Sequence, residues 1–456
     1  MQRVRLGATP AGKLLALRHD YVNHSAILDD YHENCGEATP YLYSVPNLTI
    51  AHSLVRRNVG NPTSMRGPGA VPGLFATESA LDELAYRLKI DPIELRILNE
   101  PKIDEGLGIP FSSRHLLECY QKGAEAFGWS KRTRAVGSMK RDGLTLGWGV
   151  AGCAWIAERF AATASVELRA DGTARVASAT QDIGTGTYTV MAQRLSEKSG
   201  VPIERIEVVL GDSSLPAGPM SGGSMVTASL IPAISAAVDQ ASRKLLMAAG
   251  AGGRYKGKKP DELVFTAGWV HLKSESPANG LSFPQVLLAA KVRAVEGRGS
   301  AESTFGKKPE VSMHCYGAQF AEVTWQPEIA RLRVSRFVSV IDAGRIMNPR
   351  AARNQIQGAV AMGIGMALFE ATHYDPRNGA PIVSNLADYI VSTNADVPPI
   401  DVHFLEYPDR ALNELGVKGI GEIGLAGVAA AIAGAVHHAT GVRVRDLPIR
   451  IEHLLA

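Results

Sequence analysis

Apolar and polar residues alternate from the start of the chain. Val4 and Leu6 stand between polar neighbours, and after Ala8-Thr9-Pro10-Ala11-Gly12-Lys13 the apolar run Leu14-Leu15-Ala16-Leu17 resumes. A two-residue period broken by a Pro/Gly turn predicts a β-hairpin. Over residues 74–88 the spacing becomes helical, with Glu78, Asp82 and Glu83 assigned to the face away from the core. Asp91-Pro92-Ile93-Glu94 reads as a helix start: an N-cap candidate, proline at the first position and an acid in the first turn. A further helix is predicted over 113–127. The basic, turn-rich stretch 129–141 is read as a boundary. Strands are predicted over 147–154 and across 163–179, the latter folding back at Asp171-Gly172. Helices are predicted over 188–199 and 228–249, and the Gly/Lys-rich residues 250–310 are expected to be irregular. Strands resume at Val323 and Val334, followed by helices over 351–369 and 425–439. Strands and helices intermix without a strict βαβ alternation or a 20–50-residue repeat, which predicts an α+β fold. Two units are expected, residues 1–135 and 136–456.

Composition sharpens this picture. With 45% hydrophobic and 20% charged residues, the chain has the material for a packed core and is not a disordered segment. Its 46 glycines are roughly one residue in ten, above the usual frequency of about 7%. That surplus suits tight turns and close backbone approach to a large buried ligand. A net charge of +3 gives no reason to expect nucleic acid or a membrane surface as partner. Cys35, Cys119, Cys153 and Cys315 stand singly, so no CxxC pair is present to hold zinc or an iron–sulfur cluster, and reduced structural cysteines are expected. The longest apolar run, 425–436, is shorter than the 18–20 residues of a membrane span, no secretory leader is read, and a soluble chain is expected.

Four glycine-rich loops precede helices. Pro62-Thr63-Ser64-Met65-Arg66-Gly67-Pro68-Gly69 places an arginine fork where glycines let a ligand approach, or is a turn with a surface arginine. Gln181-Asp182-Ile183-Gly184-Thr185-Gly186-Thr187 offers helix N-terminal N–H groups to a phosphate, or is a capped helix start. It lacks the strand–loop–acid context of a dinucleotide fold. Ser221-Gly222-Gly223-Ser224-Met225-Val226-Thr227-Ala228 adds hydroxyls, with the same two readings. In Gly416-Val417-Lys418-Gly419-Ile420-Gly421-Glu422-Ile423-Gly424 a carboxylate stands at the mouth of an apolar helix. There it is either a first-turn acid balancing the dipole or a base whose pKa the apolar surround raises.

Together these loops resemble the molybdenum-binding subunit of the xanthine dehydrogenase and aldehyde oxidase family, over essentially the whole chain. The likeness is to the bacterial branch that oxidises aldehydes and binds molybdopterin cytosine dinucleotide. Met65-Arg66-Gly67-Pro68-Gly69 resembles the family's active-site arginine loop, and Leu81-Asp82-Glu83-Leu84-Ala85 with Asp91-Pro92-Ile93-Glu94-Leu95-Arg96 its following helix pair. Residues 181–187 resemble the pterin-cradling loop, and 221–228 the loop beside the metal and dinucleotide. Asn348-Pro349 and the helix carrying Asn354, Gln355 and Gly358 resemble a further cofactor-contacting segment. Lys418-Gly419-Ile420-Gly421-Glu422 is similar to the catalytic glutamate motif.

The resemblance implies that Glu422 is the general base and that Arg66 steadies the substrate or oxyanion. It implies cofactor contacts from Gln181, Ile183, Gly184, Thr185, Gly186, Ser221, Gly222, Gly223, Ser224, Asn354, Gln355, Lys418 and Gly419. No side chain is assigned as a metal ligand; Arg159 reads either as a pocket residue or as a strand-end arginine. The implied reaction oxidises an aldehyde to a carboxylic acid by attack of a molybdenum-bound hydroxyl, with hydride passing to a sulfido ligand. Hydroxylation of an N-heterocycle such as a purine is the alternative, as is an inactive cofactor-binding remnant. Thr185, where many relatives carry glutamine, weighs against the purine. Electrons would leave through iron–sulfur and FAD subunits. The family's N-terminal Gly-Gly-Phe-Gly-type loop has no counterpart here, so the chain resembles the later portion of such a subunit. The remainder is expected on a separate chain or lost by truncation. A cytoplasmic location is expected, or a periplasmic one if a partner exports the complex.

Overall fold

In the computed structural model, residues 1–455 are described. The predicted hairpin forms: Gln2–Ala8 pairs antiparallel with Leu14–Ala26, which runs well past the apolar run that announced it. A third strand, Asn47–Arg57, joins it in parallel. The sequence pattern did not show that strand, because it is largely exposed and its side chains are not sorted into an apolar and a polar face. Helix Ala70–Leu88 follows the arginine loop and is jammed against the chain before it. A Cβ at Gly69 would stand 2.1 Å from the Asn34 carbonyl oxygen, and one at Gly73 would stand 1.9 Å from that of Cys35.

The face assigned to the acids of this helix needs correction. Glu78 and Asp82 are buried and only Glu83 is partly exposed. Glu78 pairs with Arg96 of helix Pro92–Leu98 at 2.8 Å, and Asp82 with Arg443. Both faces of the helix are covered, so apolar spacing alone could not identify the outer one. Asp91 caps the next helix as expected, accepting from the Ile93 N–H. The helix expected over 113–127 begins at Leu116, because Ser112 and His115 are held outside it by the Ser312 carbonyl and Asp342.

Two larger sheets carry most of the rest. The central one has the order Ile400–Leu405, Arg331–Asp342, His314–Gln326, Leu144–Ile156, Met139–Arg141, all antiparallel except the parallel edge strand Ile400–Leu405. Helix Val428–Thr440 lies directly on it, and a Cβ at Gly147 or Gly149 would stand 1.9 or 2.0 Å from the carbonyl oxygens of Ala435 or Ala431. The second sheet, Ala294–Ala301, Ala162–Arg169, Ala174–Ala177, Ile206–Val209, is covered by helix Val226–Ala251. This is the α+β arrangement. Residues 250–310 are not irregular. They hold the three-stranded sheet Leu263–Thr266, Trp269–Leu272, Leu281–Ser282, the helix Phe283–Ala289 and the strand Ala294–Ala301. Each element is too short for its own periodicity to stand out between Gly and Lys turns.

The helix expected over 425–439 opens as a 3₁₀ turn, Ile423–Leu425, and becomes α-helical only from Val428. The apolar stretch Ile423–Thr440 reaches 18 residues at mean hydropathy 1.4, longer than the run read from sequence. It is 89% buried and forms the centre of the core. One hydrophobic cluster joins Leu14, Leu74 and Leu116 to Phe320, Ile356 and Leu425. All four cysteines are free and buried.

His438, at the end of the central helix, makes an acid-sensitive lock. Its Nδ1 accepts from the Trp148 N–H at 3.0 Å and its Nε2 donates to the Thr133 carbonyl at 2.7 Å, a pairing only the neutral ring can make. Burial, with Arg132 nearby, pushes it down to about 4; burial likewise brings His19 to about 4 and His314 to about 3. Unfolded, each titrates near about 6.5, so the unfolded chain binds more protons between the two values. Stability is therefore complete above about pH 6.5 and declines as pH falls toward 4. The urea midpoint should drop across that window, less steeply in His438→Gln.

Candidate active site

The four glycine loops converge on one cavity of about 450 Å³. Glu422 is the last residue before the 3₁₀ turn Ile423–Leu425, and its carboxylate is gripped from two sides. Oε1 accepts from the Gly223 N–H at 2.9 Å and Oε2 from the Gly67 N–H at 3.3 Å. Its own backbone N–H donates to Ser224 Oγ at 2.9 Å. Burial raises its pKa, against the pull of those two N–H groups and of Arg66. Arg66 is tied down in turn: Nε donates to the Gly421 carbonyl at 2.5 Å, and Nη2 donates to the carbonyl and Oε1 of Gln355 at 2.8 and 3.1 Å. Gln355 Nε2 donates to the Gly184 carbonyl at 3.2 Å. Hydrogen bonds thus connect all four loops, separated in sequence by up to 355 residues.

Of the residues proposed from the sequence, Arg66, Ile183, Thr185, Ser221, Gly222, Ser224, Gln355, Lys418, Gly419 and Glu422 line the cavity. Others do not. Gln181 stitches two loops together, its Oε1 accepting from the Ser221 N–H and its carbonyl from Ser221 Oγ. Asn354 is exposed on helix Pro349–Leu368, one residue away from the inward Gln355. Lys418 contributes backbone alone: its ammonium is fully buried, 3.0 Å from Asp409 and donating to the His314 carbonyl. It anchors the loop and leaves no cation for a ligand. The reading of residues 184–186 as free phosphate donors is also corrected. Their N–H groups all point at Asp182 Oδ1, at 2.8, 3.0 and 3.3 Å, so the turn satisfies itself. Arg159 is held at the strand end by Thr304 and does not reach the cavity.

A fifth wall extends the Asn348-Pro349 segment toward the N-terminus, and its residues 345–347 were missed. Arg345, Ile346, Met347 and Asn348 line the cavity just before helix Pro349–Leu368, which Asn348 caps. It repeats the loop-before-helix pattern of the other walls, with Asn-Pro in place of glycines, and that capping signal could have extended the expected contact to residues 345–347. Arg345 pairs with Glu197 at 2.8 Å.

The packing of these loops leaves no slack at Gly419, where a Cβ would stand 1.5 Å from the Ser224 carbonyl oxygen. Gly419→Ala should push the third and fourth loops apart and give folded protein with little bound cofactor. Circular dichroism and metal analysis of the purified variant check this.

The cavity suits a large polar ligand: Thr185, Ser221, Ser224, Thr227, Gln355 and Arg66 line it together with glycines, between apolar residues. Among the described residues no three His, Cys, Asp or Glu side chains converge to hold a metal, so a metal here would have to arrive within the ligand.

A cleft closed by several glycine loops suits a large bound cofactor. Residues 122–398 and residues 1–100 each match a molybdopterin cofactor-binding domain. The chain belongs to the molybdopterin cofactor-binding domain family. It is 35% identical to the aldehyde oxidoreductase molybdenum-binding subunit PaoC of Escherichia coli (strain K12), over 100% of this chain and 60% of that protein. It is 30% identical to the putative xanthine dehydrogenase molybdenum-binding subunit XdhA of the same organism, over 92% of this chain and 56% of that one. The chain therefore spans less than two thirds of the length of these two curated relatives, 60% and 56%. Quinoline 2-oxidoreductase from Pseudomonas putida 86 shares the fold at a TM-score of 0.84 and 23% identity, covering 100% of this chain and 61% of that one. So does the aldehyde oxidoreductase of Desulfovibrio desulfuricans ATCC 27774, at 0.79 and 24%, over 100% and 48%.

Proposed function

We propose that this chain is the cofactor-holding part of a molybdenum hydroxylase that oxidises an aldehyde to a carboxylic acid, with Glu422 as general base. The observation that carries this is the setting of Glu422. Among the described residues it is the one carboxylate lining the cavity, held at both oxygens by backbone N–H groups and facing the cavity shared with Arg66. The hydroxyls of Thr185, Ser221 and Thr227 and the backbone at Gly222 and Gly419 would hold molybdopterin, in its cytosine dinucleotide form. When bound, that cofactor supplies the two-electron oxidation and the oxygen atom.

The protein's own part is proton handling and orientation. A carboxylate whose pKa burial raises is a stronger base than an exposed one, while its two N–H donors favour the ionised form over the acid. Arg66 keeps two of its nitrogens on protein carbonyls, and its Nη1 makes no hydrogen bond to the described residues. That nitrogen would be free to hold an aldehyde oxygen as charge develops on it. Aldehyde is favoured by the 35% identity to an aldehyde oxidoreductase subunit and by Thr185 on the wall. The 30% identity to a xanthine dehydrogenase subunit supports the second reading, a purine substrate. The electrons would pass to iron–sulfur and FAD subunits, since the isolated buried cysteines here can hold no cluster. The test is to assay the cofactor-loaded complex with benzaldehyde and with xanthine under one electron acceptor, alongside molybdenum and cytidine nucleotide analysis. Turnover of benzaldehyde is expected; turnover of xanthine alone would overturn the aldehyde reading.

A further inference from the structure

The grip on Glu422 has a second tier. The peptide that donates to its Oε1 belongs to the loop Ser221–Ala228, and that loop is fixed by Trp155 from below. Trp155 is buried on strand Leu144–Ile156 of the central sheet, and its indole Nε1 donates to the Gly223 carbonyl at 3.0 Å. The next residue, Ser224, holds a left-handed conformation at φ +60, unusual for a residue with a Cβ. In that conformation its Oγ accepts from the Glu422 N–H at 2.9 Å, while its carbonyl oxygen lies where a Cβ at residue 419 would be. Strain at Ser224 is thus held in place by contacts that all lead to the glutamate.

We infer that Trp155 and Ser224 are positioning residues, which fix the orientation and the ionisation of Glu422 from the central sheet. The inference rests on the reading of Glu422 as base. The physical chain is short. The indole locks the Gly223 carbonyl, the locked loop aims the Gly223 N–H at Oε1, and that donor favours the carboxylate over the acid. Loosening the loop weakens the donor, so the carboxyl holds its proton to a higher pH. The other charged groups at this site are unchanged by such a substitution. Arg66 faces Glu422 from the first loop, Lys418 on its own loop is neutralised by Asp409, and Arg345 on the far wall is paired with Glu197.

The experiment compares the loaded complex with its Trp155→Phe, Ser224→Gly and Glu422→Gln variants, reading kcat and KM against pH per bound molybdenum. Trp155→Phe removes the N–H and keeps an aromatic ring. Ser224→Gly removes the hydroxyl and suits the left-handed backbone. In both, the acid limb of kcat should move up by about half to one pH unit, the scale of one weakened hydrogen bond to a charged group, with KM nearly unchanged. If Trp155→Phe fails to fold, Ser224→Gly decides alone. An acid limb that stays in place while Glu422→Gln is inactive overturns this inference and leaves the base intact. A Glu422→Gln complex that still turns over overturns both.

Discussion

Glu422→Gln should leave the subunit folded and loaded with cofactor and lower kcat by about 10²–10⁴-fold, the range associated with losing a general base. The amide keeps the size of the side chain and can still accept from the Gly223 N–H through its oxygen. What it loses is the ability to take a proton. Its NH₂ would also face the Gly67 N–H, donor against donor, where Oε2 now accepts at 3.3 Å. The unsubstituted enzyme carries a matching signature. The active form is the carboxylate, so activity falls as pH drops through the Glu422 pKa. Burial raises that pKa, which puts the acid limb above the ordinary carboxylate range of about 4.3. Full molybdenum loading with near-normal turnover in the glutamine variant would remove the base assignment.

The largest stability effect is expected far from the cavity mouth, at Arg96. Its guanidinium and the Glu78 carboxylate are wholly inaccessible, joined at 2.8 Å. Glu78 also accepts from the Tyr43 hydroxyl at 2.6 Å and the Gly152 N–H at 2.7 Å. The pair therefore ties helix Ala70–Leu88, which follows the arginine loop, to the second helix and to the central sheet. Arg96→Met removes the positive partner and leaves a carboxylate in a low-dielectric interior with only neutral donors. Breaking a buried pair from one side costs about 3–5 kcal/mol. Adding Glu78→Gln should recover part of that loss by removing the stranded charge. The midpoint of urea unfolding for the two variants checks both statements. Equal midpoints for Arg96→Met and the unsubstituted chain would show that the pair is neutral to stability.

Glu78 also shows how far sequence patterns reach. Apolar spacing predicted its helix, yet put the glutamate on the outer face, because a buried acid is recognisable only once its arginine and sheet neighbours are known. The loops divide similarly. The glycines at 67, 69 and 419, the arginine at 66 and the glutamate at 422 were legible, since a carboxylate between glycines before an apolar helix is uncommon without a use. The self-satisfied turn around Asp182, the buried ammonium of Lys418 and the part of the fifth wall formed by residues 345–347 were not.

Local chemistry is carried by neighbours in the chain: turn residues, helix caps and period fix where an element starts and which residue types it presents, and those are one-dimensional facts. The hairpin, the Asp91 cap, the helices and the four loops all belong to that class. Which N–H reaches which carboxylate depends on contacts between residues hundreds of positions apart, such as Gly67 with Glu422 and Trp155 with Gly223. Those contacts follow from how glycine-lined sheets and alanine-rich helices approach each other, a balance of packing over the whole core that no local window contains.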